Sequence, residues 1–267
     1  MSREYLIGEV AEILGIGKQS IRRYAENGLV EIKQDEETGY RYFDLGSFNV
    51  LMRIVFLRNA GFTMKDIARV LNTNDMTVLD DMLAQRRREL KKEKERISLI
   101  EKRMHEIQTR LDSIEYNQLE EVISPDFYYI QYCEQRKLIN HGKDNTIIHH
   151  WVDEMPITNS SPSFFMKNGV FEKRCDYGLV IEADHVYDKA IIDHPLVRHY
   201  PPQQSIHGFV KCDVKHPLEL STVQQFIDEA ERRGLKAERI IGKTLMTYNQ
   251  LENRTRVHEM WAMCRKD

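Results

Sequence analysis

Five polar residues close to the N-terminus could recognise nucleic acid if one helix presents them together. They are Lys18, Gln19, Ser20, Arg22 and Arg23. Lysine and arginine neutralise phosphates or make paired hydrogen bonds to guanine, and glutamine can pair with adenine. The N-terminus of a helix also attracts phosphate. From these residues alone, a solvated polar helix is the alternative interpretation.

The elements needed to position these side chains are predicted by the surrounding pattern. Apolar residues at helical spacing lie on both sides of Gly15-Ile16-Gly17. This arrangement predicts two short helices joined by a glycine turn. A second helix pair is predicted beyond Ser47, where Thr63 and Asp66 fit a variant of the capping box.

Between the two helix pairs, apolar and polar residues alternate around Asp-Glu-Glu-Thr-Gly, which predicts a β-hairpin. Its tip carries Tyr40, Arg41 and Tyr42. Tyrosine rings at such a tip could lie against sugars while the guanidinium neutralises a phosphate. The alternative is a tyrosine-rich turn with no such role.

The segment from Met76 to Tyr116 has the clearest periodicity in the chain. Alternating steps of three and four residues connect a series with charge almost everywhere else: Met76, Leu79, Leu83, Arg86, Leu90, Glu93, Ile97, Ile100, Met104, Ile107, Leu111 and Ile114. We interpret it as a coiled-coil seam, because so narrow a stripe needs a partner. A long solvated helix packed on its own tail is the alternative.

From Pro125 onward, strand patterns return. They follow the order strand, helix, strand, strand, and the same order is repeated later in the chain. Two such units predict an α+β domain with helices on one face of an antiparallel sheet and a cleft where the halves meet.

The first four predicted parts, taken in order, resemble the MerR family of transcriptional regulators. The segments that carry the resemblance are IGEVAEILGI, IRRYAENGLV, TGYRYFD and FLRNAGFTMKDIARVL. The chain differs from the family at Arg23, where a second tyrosine usually stands beside the one matched by Tyr24. With the resemblance, Tyr24 and Lys65 join the predicted DNA-contacting residues.

The resemblance implies a winged-helix homodimer joined by an antiparallel coiled coil. Such a dimer binds a palindromic operator in double-stranded promoter DNA whose spacer is too long for RNA polymerase. A bound effector lets the dimer bend and untwist the spacer, so polymerase at the same promoter can begin transcription. This deformation costs free energy, which protein contacts on both sides offset.

The repeated unit of the tail resembles the GyrI-like effector-binding domain of multidrug-responsive family members. That resemblance implies a role for Glu259, which matches an acidic residue that attracts lipophilic cations. Trp261 faces the same side of the strand. The other predicted ligand-binding residues are Tyr128, Trp151, Phe165, Tyr187 and Tyr248.

One difference leaves the charge of the effector open. Lys243 stands near the place where the subfamily often has a second acidic residue. A cationic lipophilic compound, a neutral one and an anionic one therefore all remain candidates. The alternative for Glu259 is an exposed strand carboxylate beside aromatic residues of the core.

Composition limits the other classes of protein. The formal net charge is -3, so any nucleic-acid surface must be local. The four cysteines lie far apart with no Cys-x-x-Cys pair, so neither a metal site nor a cofactor is predicted. No apolar run approaches the length of a membrane span, which predicts a cytoplasmic protein with no membrane partner.

Two other functions remain open from the sequence. One is a small-molecule hydrolase with Glu259 and either Tyr187 or a histidine as general base. No nucleophile stands at a recognisable spacing from a base, so we predict no catalytic residue and no enzyme. The other is a DNA-binding protein without an effector.

The predicted fold class is a multidomain α+β protein. Residues 1–75 form a winged helix-turn-helix DNA-binding domain, residues 76–118 a coiled-coil dimerisation helix, and residues 119–267 a GyrI-like effector-binding domain.

Overall fold

The computed structural model describes residues 5–34, 41–73, 75–112, 114–116, 118–213, 218–249 and 254–266. The chain divides into two compact units, Met1–Lys91 (unit 1) and Lys92–Asp267 (unit 2). The boundary falls within one long helix, so the division into three parts predicted above remains a prediction.

Unit 1 contains a small sheet and a set of helices. The strands are β1 (Tyr5–Leu6), β2 (Lys33–Gln34) and β3 (Arg41–Phe43), and the helices are α1 (Ile7–Leu14), α2 (Lys18–Glu26), α3 (Leu45–Asn59), α4 (Met64–Leu71) and the start of α5 (Met76–Asp112). β3 lies between β1 and β2, and both pairings are antiparallel. The predicted tip of the hairpin falls largely outside the described residues, and Tyr40 falls outside them.

The predicted helix pairs are confirmed, with caps where the sequence places them. Gly15 ends α1 in the left-handed region, at a φ of 63°, which glycine adopts without steric cost. The Thr63 side chain accepts a hydrogen bond from the backbone of Asp66, and the Asp66 side chain accepts one from the backbone of Thr63. Val10 and Ile21 are fully buried in the core that the helices share.

Arg86, which the sequence assigns to the coiled-coil seam, has a different role within unit 1. Its Nε donates a hydrogen bond of 2.8 Å to the carbonyl oxygen of Ala60, at the C-terminal end of α3. A cation at this end of a helix is electrostatically favourable. Gly61 has a φ of 89°, and a side chain there would overlap the Arg86 guanidinium. Arg86 therefore attaches α5 to the end of α3.

α5 separates the predicted seam into two faces. Leu83, Leu90, Ile97 and Met104 lie seven residues apart, and all four are exposed, by 36%, 45%, 56% and 62%. The seam residues between these positions form a second row on the helix. Ile100 belongs to that row and packs against a buried cluster of unit 2. The packing of Ile100 fits a helix packed on its own tail, while the coiled coil along the exposed row remains a prediction.

Unit 2 contains one extended antiparallel sheet and two further helices. Its elements are β4 (Glu120–Ile123), β5 (Phe127–Glu134), β6 (Lys137–Leu138), α6 (Asn145–Asp153), β7 (Asn159–Lys167), β8 (Val170–Phe171), β9 (Asp176–Glu182), β10 (Val197–Tyr200), β11 (Gln204–Asp213), α7 (Leu220–Arg232), β12 (Leu235–Asn249) and β13 (Arg254–Lys266). The strand order is β10-β5-β9-β7-β12-β13-β11-β4, with β6 on β5 and β8 on β7.

The order strand, helix, strand, strand occurs twice, as β5-α6-β7-β9 and as β11-α7-β12-β13. The first occurrence also contains two short strands, β6 between β5 and α6 and β8 between β7 and β9. The large sheet and the α+β class are thus as expected. The more specific likeness to a GyrI-like domain remains a prediction.

Alternating residues of β5 show how the sheet separates two environments. Ile130 packs with Trp151 of α6. Phe127 and Tyr129, which point the other way, pack with Trp261 of β13. The face that carries Trp261 is called the inner face below.

Two features are absent from the described part of the chain. Every helix there is too short or too polar to span a membrane. Within the same residues, no group of three histidine, cysteine or acidic side chains could hold a metal ion.

Candidate nucleic-acid interface and ligand site

The exposed side of α2 carries most of the polar residues that the sequence predicts for DNA contact. Lys18, Gln19, Arg22 and Arg23 are exposed, and Ser20 is half-buried. Ile21, on the opposite side of the helix, is fully buried. The apolar side therefore holds α2 on unit 1 while its cationic side faces solvent.

Tyr24 differs from its neighbours because the residue is buried, with 4% of its surface exposed. Its hydroxyl accepts a hydrogen bond of 3.3 Å from Nη1 of Arg58 in α3. Tyr24 thus braces α2 against α3, and its predicted contact with DNA remains a prediction.

The other predicted DNA-contacting residues lie on separate elements of unit 1. Tyr42 in β3 is half-buried and pairs with Lys33 of β2, while Arg41 pairs with Gln34. Lys65 is exposed in the first turn of α4.

In unit 2, Glu259 lies on the inner face of β13 with no exposed surface. Its Oε1 atom accepts hydrogen bonds from Arg110 and, over 3.0 Å, from Nε2 of His207. Nζ of Lys243 lies 3.6 Å from Oε2. Burial alone would raise the pKa of Glu259, but His207, Lys243 and Arg110 together outweigh burial and lower it.

Lys243 is buried as deeply as its partners, with 2% of its surface exposed. It stands opposite Glu259 in the pairing of β12 with β13. Its ammonium also donates a hydrogen bond to Glu182 at the end of β9. In addition, it lies 4.9 Å from the centre of the Trp261 ring, within the range of a cation–π interaction.

His207 links this cluster to the edge of the sheet. Its Nδ1 lies 2.9 Å from a carboxylate oxygen of Glu120 on β4, while its Nε2 contacts Glu259. A neutral imidazole has one N–H, so only a doubly protonated ring donates to both carboxylates.

A pocket of about 530 Å³ lies beside His207 and Arg110. This volume is within the range of small-molecule sites. The pocket is lined by Arg110, Glu115, Gln118, Leu119, Glu120, His207, Gly208 and Phe209. Two of the groups that hydrogen-bond to Glu259 therefore form part of its wall.

The predicted ligand-binding rings are divided between the two faces of the sheet. Phe165 packs with the cluster around Trp261 on the inner face. Tyr128, Trp151 and Tyr187 belong instead to the cluster around α6. Tyr248 lies in β12, and its side chain is outside the described part of the structure.

Three residues of the charged cluster were not found from the sequence. Arg110 appears there only as one of many charges on the long helix, and Glu182 and His207 lie in separate strands with no spacing that relates them to Glu259. The alternation along β11 could have placed His207 on the same face as Phe209, but strand order was needed to bring either residue to β13.

Residues 5–74 match the family model of the MerR HTH family regulatory protein. The N-terminal region is a MerR-type helix-turn-helix. The MerR-type region includes α1 to α4 and the exposed cationic side of α2.

The chain is similar to other proteins over part of its length. It is 32% identical over 72 residues to the mercuric resistance operon regulatory protein of Bacillus cereus, an alignment that covers 27% of this chain and 54% of that protein. It is 26% identical over 107 residues to nodulation protein NolA of Bradyrhizobium elkanii, covering 40% of this chain and 48% of that protein. The matches thus span about half the length of these relatives.

A solved structure can be aligned over most of the chain at low similarity. It is a chain from the cryo-EM structure of the EcmrR-DNA complex in EcmrR-RPo, with 16% sequence identity and a TM-score of 0.38. The alignment covers 98% of this chain and 100% of that chain.

We expect Glu259→Gln to destabilise unit 2, because it leaves buried cationic groups without their carboxylate. Loss of one partner of a buried pair costs about 3–5 kcal/mol. Urea unfolding followed by tryptophan fluorescence measures the change, since both tryptophans, Trp151 and Trp261, lie in unit 2. Glu120→Gln is the control, because Glu120 contacts the same His207 but its side chain is 68% exposed.

The Glu259 carboxylate also makes the stability of the protein depend on pH. The folded pKa of Glu259 is below its ordinary value of 4.5, so its stabilisation is present above that pH and is lost as pH falls through the folded pKa. Glu259→Gln should reduce the loss of stability on acidification. Equal acid sensitivity of both proteins would contradict the pairing described here.

Proposed function

We propose that this protein is a ligand-responsive transcriptional regulator that binds promoter DNA as a homodimer. The observation that carries the proposal is the MerR-type region, whose α2 has an exposed side of Lys18, Gln19, Arg22 and Arg23. Such a side supplies phosphate contacts from its cations and base recognition from its glutamine.

The exposed row of α5 supports the homodimer. Four large apolar side chains repeat every seven residues, from Leu83 to Met104. A second copy of this helix would cover them in a coiled coil, and two copies would present two α2 helices to a palindromic operator. We propose the antiparallel arrangement, as the resemblance to the family implies.

Unit 2 is proposed to bind a small organic effector. The pocket beside Arg110 and His207 has a suitable volume and includes an aromatic ring, that of Phe209. Arg110 belongs to the last turn of α5 and also hydrogen-bonds to Glu259. An effector in this pocket would therefore act on a residue of the dimerisation helix.

Activation is proposed to operate through promoter distortion. The effector-bound dimer would bend and untwist the spacer, so that RNA polymerase engages both promoter elements. This part of the proposal rests on the resemblance to the MerR family. A DNA-binding protein without an effector would leave promoter conformation unchanged when compounds are added.

The geometry does not favour a hydrolase that uses Glu259 with Tyr187. Tyr187 packs in the cluster around α6, whereas Glu259 is on the inner face. Burial, together with a hydrogen bond to Glu154, raises the pKa of Tyr187 to about 12, which makes its phenolate rare near neutral pH. A turnover assay with candidate esters and amides tests this alternative.

Replacing Arg22 by alanine tests the DNA-contacting side of α2. We expect weaker binding to operators of every sequence and a salt slope lower by about one unit, because one phosphate contact is lost. Gln19→Ala should instead affect some sequences more than others. Lys137→Ala removes an exposed cation of unit 2 and serves as control. An unchanged slope for Arg22→Ala would exclude this residue from the interface.

Ile97→Asp tests the apolar row of α5. A carboxylate in a coiled-coil seam should weaken the dimer by about 3 kcal/mol, or roughly 100-fold in dissociation constant, as measured by analytical ultracentrifugation. The matched control is Leu138→Asp, at a leucine that is 82% exposed outside α5. If both variants remain dimeric, this row is not the dimer interface.

Titration of the full protein on its own promoter DNA tests regulation. Cationic, neutral and anionic aromatic compounds are added in turn, and tryptophan fluorescence and run-off transcription are measured together. A compound that changes both signals is an effector. Binding of compounds without any change in transcription would contradict the coupling of unit 2 to the promoter.

A further inference from the structure

We infer that Lys243 is a built-in ligand of a cation site, so that the protein fills this site itself and excludes cationic compounds from it. The site consists of the Trp261 ring and the carboxylates of Glu182 and Glu259. The inference concerns the specificity of unit 2, and its bearing on effector choice rests on the proposed function. The occupancy of the site can be tested without DNA.

The surroundings of the Lys243 ammonium have the chemistry of an ammonium receptor. An aromatic face lies 4.9 Å from Nζ, one carboxylate accepts its hydrogen bond, and a second carboxylate oxygen lies 3.6 Å away. Aromatic faces combined with carboxylates bind organic ammonium groups. Glu259 and Trp261 are at most 3% exposed, and the side chain of Glu182 is 17% exposed, so water competes little for the cation.

A free cation would compete poorly with Lys243. The lysine is held opposite Glu259 by the pairing of β12 with β13, so its ammonium is already next to the carboxylates. A tethered group has a high effective concentration and loses little freedom on binding. An external ammonium would have to displace it and leave it buried without a partner.

Charge balance within the cluster leads to the same conclusion. Glu182 and Glu259 supply two negative charges, and Lys243 and Arg110 supply two positive ones. His207 also contacts Glu259. A further buried cation would therefore meet no unbalanced carboxylate in this group, and desolvating it would be unfavourable.

Removing the lysine side chain should convert the filled site into a vacant one. Lys243→Ala deletes three carbons and the ammonium nitrogen, which together correspond to n-propylammonium. The probe is n-propylammonium chloride, compared with n-propanol as a neutral analogue of similar size and with sodium chloride at the same ionic strength. Thermal unfolding of the full chain is followed by tryptophan fluorescence.

We expect n-propylammonium to raise the unfolding midpoint of Lys243→Ala by about 4 °C at about tenfold excess over its dissociation constant. The wild-type protein should show no saturable shift, and n-propanol should leave the variant unchanged. Equal effects of the amine and the alcohol on the variant, or saturable binding of the amine to the wild type, would overturn the inference.

Arg239→Ala is the matched control. The Arg239 guanidinium lies 5.0 Å from the centre of the Tyr200 ring and is a quarter exposed, so it is another cation over a ring of the same unit. Among the described residues, its ring is not combined with a buried pair of carboxylates. We expect no saturable response of this variant to n-propylammonium, and an equal response would attribute the rescue to nonspecific stabilisation.

A second variant tests the charge balance. Lys243→Ala combined with Glu182→Gln removes the lysine and one of the two carboxylates and keeps Glu259 with Arg110. Because the remaining charges balance, this variant should show no saturable response to n-propylammonium, and a response equal to that of Lys243→Ala would overturn the inference. If Lys243→Ala does not fold alone, its refolding yields with n-propylammonium and with n-propanol provide the comparison, and equal yields would overturn the inference.

These results are distinguishable from the proposed function. If n-propylammonium rescues Lys243→Ala but no compound changes transcription, the inference about Lys243 stands and the proposed regulatory function is rejected. If an effector changes transcription but n-propylammonium does not rescue the variant, the regulatory function stands and the inference about Lys243 is rejected.

Discussion

Unit 2 is organised around a carboxylate that has no contact with solvent. A buried charge is stable only when neighbouring groups compensate for lost hydration. Glu259 meets this requirement through Lys243 on β12, His207 on β11 and Arg110 at the end of α5. The three partners come from two neighbouring strands and one helix, so the cluster forms only when strand order and the end of α5 are both correct.

The sheet determines which aromatic residues lie on the same face as Glu259. Trp261 and Phe165 share the inner face, whereas Trp151 and Tyr128 pack with α6. Side chains alternate along a strand, so a difference of one residue in sequence separates two chemical environments. The nearby pocket consequently presents Arg110, His207 and Phe209, and the Trp261 ring faces the ammonium of Lys243.

The long helix α5 likewise places neighbouring residues of one sequence pattern in different surroundings. Leu83, Leu90, Ile97 and Met104 lie on an exposed row, while Ile100 contributes to the packing of unit 2 and Arg86 attaches the helix to the end of α3. A pattern that looks like one seam in the sequence thus contains residues with three different roles. All of them satisfy the helical period, which is why periodicity did not separate them.

Local patterns in the sequence determined the helix pairs, the long helix, the α+β class of the tail and the cationic residues of α2. The helix pairs lie within residues 5–74, which match the MerR family model. These features depend on glycine turns, caps and spacing along one element, which are visible in a single stretch of chain. The same is true of Glu259 and Trp261, which alternation places on one side of β13.

The tertiary structure alone decided what surrounds Glu259. Lys243 becomes its counter-ion through the register of β12 and β13, and Arg110 reaches it from the end of α5. No spacing in the sequence relates either cation to this carboxylate. The physical reason is that partners distant in sequence are selected by strand pairing and packing. Those depend on the whole sheet, and no local pattern of residue types encodes them.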